Sequence, residues 1–511
     1  MNQNRYLYER GFYITDAIDY IIPFKNDTFW LTKKIDSEFV AYVHRDSQMF
    51  IRKHNGITMF LIGHAYDPFK MLSNENQILD LLLNSNTGQE FWRIVNELTG
   101  IFVIGKIENN KLIMVNDAAG IQCVFYGFFK GNVHVASHTH MLEDVCGVKR
   151  DGYVTRLVKY KYYPLFGKHL PGDITPYKEF KRLIPNHYVE ISDKIKIKRF
   201  WPTDQYKEYA ADEGEKAIKK IADLLQKNLQ LITEKWEKPA ISLTGGCDSK
   251  TTLACTNGLY DKFKYFSYIS QDTEKIDADA AHEICEKLNL PHKIYIIPSS
   301  DKEIDDIEEV RKTLQINCGD IGKSNENDVR KRAFFSKIDD FDVEVKSWVS
   351  ECGRAYYNKR FLKRRFPVKP TPSYLRTMYK VFISNRKLIK ETDEIFKRYE
   401  EDYLFTEDKG YPWQEIFFWE FRMANWNALV ITGEHKYSFD IAIPYNNRIL
   451  LDMLLRFPLN ERIKDTAYQK IRSYMNPAVD KTGIAVTNVK HTRNRARLEK
   501  CYLDIMSKVH Y

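Results

Sequence analysis

Ile241-Ser242-Leu243-Thr244-Gly245-Gly246-Cys247-Asp248-Ser249-Lys250-Thr251 decides how this chain is read. An apolar run of strand type passes through two consecutive glycines into a helix start. Consecutive glycines let a backbone approach an anion closely, and a helix N-terminus adds unpaired N–H groups and a favourable dipole. Hydroxyls at Thr244, Ser249 and Thr251 are placed to donate to phosphate oxygens. The segment is therefore a phosphate cradle by chemistry, although its spacing is neither GxxxxGK[ST] nor GxGxxG. The plain alternative is an ordinary strand-turn-helix corner with Asp248 as its cap.

Outward from this loop the chain alternates short apolar runs with helical patterns. Strands are expected at 240–243, 265–269 and 294–297, and helices from Asp248 and over 277–288. Such alternation implies βαβ crossovers and a parallel sheet, with ligand chemistry beyond the carboxyl ends of the strands, near Thr244. Upstream, Ile218, Ile221, Leu225, Leu229 and Ile232 recur at helical spacing. Before Trp201-Pro202 the sequence reads as short strands; Asn109-Asn110 between 98–107 and 112–115 predicts a hairpin. Beyond Phe361 it turns helical and aromatic, and Trp413, Phe417, Phe418, Trp419 and Trp426 read as core.

The glycine loop resembles the SGGxDS pyrophosphate-binding loop of the PP-loop ATP pyrophosphatases, with Thr244 in the leading serine position. That resemblance implies that Leu243, Thr244, Gly245, Gly246, Asp248, Ser249 and Thr251 hold ATP and that Asp248 binds Mg2+. It also implies an adenine pocket at Leu243 and residues 267–269, Ile269 included. Similarity to asparagine synthetases and β-lactam synthetases extends further. Asp277-Ala278-Asp279-Ala280-Ala281 looks like the acidic helix start of those enzymes. Residues 346–357, KSWVSECGRAYY, align without gaps on their SGEGxDELFGGY segment, although most of its glycines are replaced. Glu351 falls on the second metal-binding carboxylate; the bland reading makes it a surface carboxylate at a strand end. Ile443-Pro444-Tyr445-Asn446-Asn447-Arg448 resembles VPFLDHR and reads as scaffold. Family members carry a lysine near Ala467-Tyr468, absent here; either Lys464 or Lys470 is a candidate substitute, and both also read as solvated helix lysines.

Within the first 205 residues, Leu98-Thr99-Gly100-Ile101-Phe102-Val103, Val115-Asn116-Asp117-Ala118-Ala119-Gly120-Ile121 and Leu183-Ile184-Pro185-Asn186-His187-Tyr188 resemble segments of class II glutamine amidotransferase domains. Those glutaminases use an N-terminal cysteine, whereas position 2 here is Asn2 and no cysteine precedes Cys123. Glutamine hydrolysis is therefore not expected. The implied fold is an α+β Ntn-hydrolase-like sandwich over 1–205, followed over 206–511 by an α/β PP-loop domain with a parallel sheet and a helical C-terminal part.

Length and composition agree with that plan. A chain of 511 residues exceeds one hydrophobic core, and 43% hydrophobic with 29% charged residues is the balance of a folded globular protein. Charges interrupt every apolar stretch near the N-terminus and no later window approaches a membrane span, which argues against export and membrane insertion and for the cytoplasm. The eight cysteines form no CxxC pair and read as reduced thiols. The net charge of +9 comes largely from Lys359, Arg360, Lys363, Arg364 and Arg365 and from Lys490, Arg493, Arg495 and Arg497, which read as solvated faces.

The expected activity is an ATP-dependent, AMP-forming ligation. A small-molecule, peptide or sugar carboxylate is adenylated and then captured by ammonia or an amine. A homodimer is left open. The rivals are a tRNA-acting PP-loop enzyme, against which the amidotransferase-like N-terminal half argues, and a non-catalytic ATP-binding scaffold.

Overall fold

The structure is a computed structural model that describes residues 5–17, 20, 22–24, 27–165, 167–362, 366–382, 385–403, 409–481 and 493–509. Its first part is built from β1 (Phe12–Thr15), β2 (Trp30–Lys34), β3 (Val40–His44), β4 (Met49–His54), β5 (Ile57–Tyr66), β6 (Thr99–Glu108), β7 (Lys111–Asn116), β8 (Phe125–Phe129), β9 (Asn132–Ala136), β10 (Phe180–Arg182), β11 (His187–Ile191) and β12 (Ile195–Arg199). They form two six-stranded antiparallel sheets, ordered β10-β8-β9-β1-β3-β2 and β12-β11-β7-β6-β5-β4. Alternation along the strands sends Phe12, Ile14 and Val43 of one sheet and Phe60, Val103 and Met114 of the other into a shared core. The expected hairpin is present, with Ile107 opposite Leu112 and both Asn109 and Asn110 at positive φ, the geometry that asparagine tolerates in tight hairpins.

Helices cover the outer faces. α1 (Glu75–Leu83) and α2 (Gly88–Glu97) bury Ile78, Leu79, Leu82, Ile94 and Val95 against the far side of the second sheet. α3 (Thr139–Cys146) and α4 (Gly152–Val158) join the core cluster on the far side of the first. The result is the helix-flanked two-sheet sandwich expected for the first 205 residues.

α5 (Ala211–Lys235) leads out of the sandwich, burying all five residues read as its apolar stripe. Next come β13 (Pro239–Ser242), α6 (Cys247–Cys255), β14 (Lys264–Ile269), α7 (Asp272–Lys287), β15 (His292–Ile296), β16 (Val343–Val345) and β17 (Asp440–Ala442). The five strands pair in parallel in the order β15-β14-β13-β16-β17, so β13 is central. One boundary moves: α7 begins at Asp272, not at Asp277, because Asp272 and Glu274 occupy its first turn, where carboxylates favour the helix dipole. The remaining chain is helical, and Trp413, Phe417, Phe418 and Trp419 are buried as expected, while Trp426 is half-buried beside Trp348. Among the described residues no helix is long and apolar enough to cross a membrane.

Polar side chains fasten the sandwich to the parallel-sheet region. Buried Asn446 donates to the Gly100 carbonyl (2.6 Å) and to Asp117 Oδ1 (2.9 Å), and accepts from the Ala119 N–H (2.8 Å). Arg448 donates to the Asn116 and Asp117 carbonyls at 2.8 and 3.0 Å. Arg199 forks onto Glu420 at 2.6 and 2.9 Å, and Asn186 joins the same carboxylate. Each group meets a partner it would otherwise lack away from water, so the two regions are set in one relative position. The stretch 443–448 is scaffold, as its sequence suggested.

Candidate functional site: the glycine loop and its acidic cavity

β13 ends at the centre of the parallel sheet, and the chain leaves it through Leu243 to Gly246. The Leu243 N–H still pairs with the Phe266 carbonyl (2.8 Å), while the Ser267 hydroxyl donates to the Leu243 carbonyl (2.7 Å). The loop is closed by its own hydroxyls. Ser249 donates to the Thr244 carbonyl (2.8 Å), and the Gly246 N–H donates to Thr244 Oγ1 (3.1 Å). The cap residue of α6 is Gly246, not Asp248, and no side chain caps the helix, leaving its first turn as a source of N–H donors.

Against this loop lies a cavity of about 360 Å3 at the carboxyl ends of β13, β14 and β16. Leu243, Thr244, Asp248 and Ser249 form one side, and Ser267 and Tyr268 another. Lys346, Ser347, Trp348 and Glu351 enclose it from beyond β16, and Glu274 and Asp277 from α7. Trp348, Tyr268 and Leu243 offer apolar surface to a flat ring, while the first turn of α6 offers N–H donors to an anion.

Most of the charges around this cavity are matched. Glu274 accepts from Lys331 (2.7 Å) and from the Ser270 hydroxyl (2.8 Å). Lys346 reaches Glu344 at 2.5 Å, and burial lowers its ammonium below the usual lysine range. Burial raises the Asp277 carboxyl, although the Gly245 N–H bonds to it. Burial, and after it the charge of Asp248, pushes Glu351 up to about 7, and Glu351 Oε2 lacks a hydrogen-bond partner.

Asp248 is fully engaged. Its Oδ1 accepts from the Ser350 hydroxyl (2.8 Å) and its Oδ2 from Arg354 Nη1. Arg354 in turn forks onto Asp465 at 2.9 and 3.0 Å, and Lys359 reaches the same carboxylate at 2.6 Å. The magnesium pair read from the sequence, Asp248 and Glu351, is therefore brought to one cavity but does not fit the ion as arranged. One carboxylate is neutralised by a guanidinium and the other is held near its protonation point, whereas Mg2+ takes ionised oxygen ligands. No cluster of three or more His, Cys, Asp or Glu suited to a metal occurs among the described residues.

Other expected residues divide similarly. Ile269 ends β14 and does not line the cavity; its carbonyl accepts from the Ile297 N–H (2.8 Å). Thr251 is fully buried, its hydroxyl donating to the Cys247 carbonyl (2.9 Å) and accepting from Arg472 Nη1 (3.1 Å), so it is not a phosphate donor here. Lys464 is exposed, and Lys470 pairs with Glu215 on α5 (2.7 Å); neither lines the cavity. The cation that the helix Thr466–Met475 turns toward α6 is Arg472, which is buried, pairs with Asp480 (2.7 Å) and does not line the cavity either.

The segment after β16 keeps an unusual backbone. Val349 and Ala355 both have positive φ, 74° and 49°, and both align with glycines of the SGEGxDELFGGY pattern. For buried, β-branched Val349 this is strained, by about 1–2 kcal/mol. The Tyr468 hydroxyl holds the turn through the Ser350 carbonyl (2.5 Å). Arg354 carries one sequence signal, a basic residue at an apolar position of the aligned 346–357 segment, and Arg472 carries none.

No protein-family model and no curated protein sequence matches the chain. Solved structures with loose likeness include an allosteric regulatory enzyme of purine biosynthesis, at 13% identity and TM-score 0.25 over 47% of this chain. The chain spans 56% of that structure's length. A glutamine phosphoribosylpyrophosphate amidotransferase from B. subtilis, complexed with ADP and GMP, gives 12% identity and TM-score 0.23 over 69% of this chain and 71% of that one. A glutamine-dependent NAD+ synthetase from Acinetobacter baumannii, in complex with ADP, gives 15% and 0.18 over 32% and 28%.

Proposed function

We propose that this protein is an ATP-dependent carbon–nitrogen ligase of the asparagine synthetase type that forms AMP and does not hydrolyse glutamine. The observation that carries the reading is the cavity itself. It lies at the carboxyl ends of the central parallel strands, with Leu243, Thr244, Asp248 and Ser249 around an uncapped helix N-terminus on one side and Trp348 and Tyr268 on others; Gly245 and Gly246 themselves do not line it. That is an arrangement for a triphosphate at one end and a flat base at the other. In the reaction, a substrate carboxylate oxygen attacks the α-phosphorus and the bond to the bridging oxygen breaks, releasing pyrophosphate. The amine nitrogen then attacks the acyl carbon and AMP departs. The N–H groups of the uncapped first turn of α6 supply positive potential where phosphate charge develops.

Loss of glutaminase chemistry has its own support. Position 2 lies outside the described residues. The cysteines before residue 206 are Cys123 and Cys146, both buried, and burial pushes the Cys146 thiol up to about 11. A glutaminase needs an accessible nucleophile, and neither buried thiol offers one. The nitrogen comes from free ammonia or an amine on the second substrate.

The engagement of Asp248 by Arg354 favours a second reading, an ATP-binding scaffold without turnover. Incubation with ATP, ammonium and a panel of carboxylic acids separates the two. AMP and pyrophosphate formed in an acid-dependent way support the ligase; ATP bound and recovered intact supports the scaffold.

A further inference from the structure

Asp248 and Arg354 are only 22% and 21% exposed, yet both remain reachable from solvent. Asp248, Arg354, Asp465 and Lys359 form an alternating chain of two carboxylates and two cations whose formal charges cancel. Arg354 is fixed in it from both sides, through Asp248 and through the two-pronged bond to Asp465, and its guanidinium lies 5.8 Å from the Tyr468 ring centroid. These bonds engage three of its five N–H groups. A guanidinium so placed is planar, permanently charged and matched to phosphate oxygens.

We propose that Arg354 is the resident cation of the phosphate loop, standing at Asp248 where a divalent ion would otherwise bridge protein and nucleotide. The loop then binds a triphosphate or pyrophosphate without a protein-held metal. The inference rests on the reading of this cavity as an ATP site. One further feature supports it. Positive φ at Val349 and Ala355 bends the chain on either side of residues 350–354, which sets Arg354 over α6.

Calorimetric titration of the full chain with ATP, and separately with inorganic pyrophosphate, tests this in EDTA and in MgCl2. Wild type is expected to bind with affinities within about threefold in the two buffers, and Arg354→Ala to lose about tenfold in EDTA and to recover with Mg2+ once Asp248 is released. Arg354→Lys keeps the charge and should retain most of the metal-free binding, which guards against a folding defect in the alanine variant. Wild-type binding that requires Mg2+, or unaltered metal-free binding by Arg354→Ala, overturns the inference while leaving the ATP reading intact. Absence of binding in both buffers overturns the ATP reading and this inference with it.

Discussion

Asp465 accepts both the Nε and the Nη2 hydrogen bonds of Arg354, at 2.9 and 3.0 Å, and so fixes the plane of the guanidinium that meets Asp248. Asp465 sits at φ 57° just before the helix Thr466–Met475, a conformation that asparagine also tolerates. Asp465→Asn should therefore keep the backbone and remove the charge. We expect a loss of about 1–3 kcal/mol in urea unfolding and weaker ATP binding in EDTA than in MgCl2.

Gly246 tests the loop from another side. Its φ of −73° suits any residue, and a Cβ there would meet only Thr244 Oγ1, at 3.1 Å. The fold does not require glycine at this position, whereas the proposed close approach of a phosphate to the loop would. Gly246→Ala should leave unfolding free energy within about 0.5 kcal/mol of wild type while weakening ATP binding about tenfold.

Glu351 gives the site a pH dependence. Its carboxyl is pushed up to about 7 from an ordinary value of 4.5, first by burial and then by Asp248. The folded chain therefore holds a proton that the unfolded chain releases between those values. The contribution is fully present below the unfolded pKa and is lost as pH rises through the folded one. Wild type should lose about 1–3 kcal/mol between about pH 5 and pH 8 that Glu351→Gln does not, as read by urea unfolding at each pH.

Asn446 closes three bonds between the sandwich and the parallel-sheet region and touches no residue of the cavity. Asn446→Ala leaves the buried Gly100 carbonyl and Asp117 carboxylate short of a donor, with a cost of about 2–4 kcal/mol. ATP affinity at native temperature should be unchanged within about twofold.

Local signals made much of this fold legible in the sequence. The runs at 240–243 and 265–269, the glycine pair and the helix after it appear where short apolar strands and turn chemistry placed them. Asn109-Asn110 fixed a hairpin because asparagine accepts positive φ. The start of α7 was misplaced because Asp277 and Asp279 form as acidic a cluster as Asp272 and Glu274, and composition does not tell a first turn from a second. The site's cations were less legible. Arg354 meets Asp248 across 106 positions and Asp465 across 111, pairings that no helical or strand period encodes. Lys464 and Lys470 lie in the stretch where the resemblance expects a lysine, but the helix turns Lys470 toward Glu215 and Arg472 toward α6. Of the basic clusters read as solvated, Lys359 and Arg360 are ion-paired, to Asp465 and Glu499, Lys363, Arg364, Arg365 and Lys490 lie outside the described residues, and Arg495 pairs with Glu499 on an exposed helix face.

The most direct test of the central claim is ATP–pyrophosphate exchange, with MgCl2 present, screened across aspartate, uronic acids and acidic peptides for wild type and Asp248→Ala. The ligase account predicts exchange that depends on one class of acid and disappears in the variant, because only an acyl-adenylate returns labelled pyrophosphate to ATP. Tight ATP binding with no exchange for any acid would contradict it.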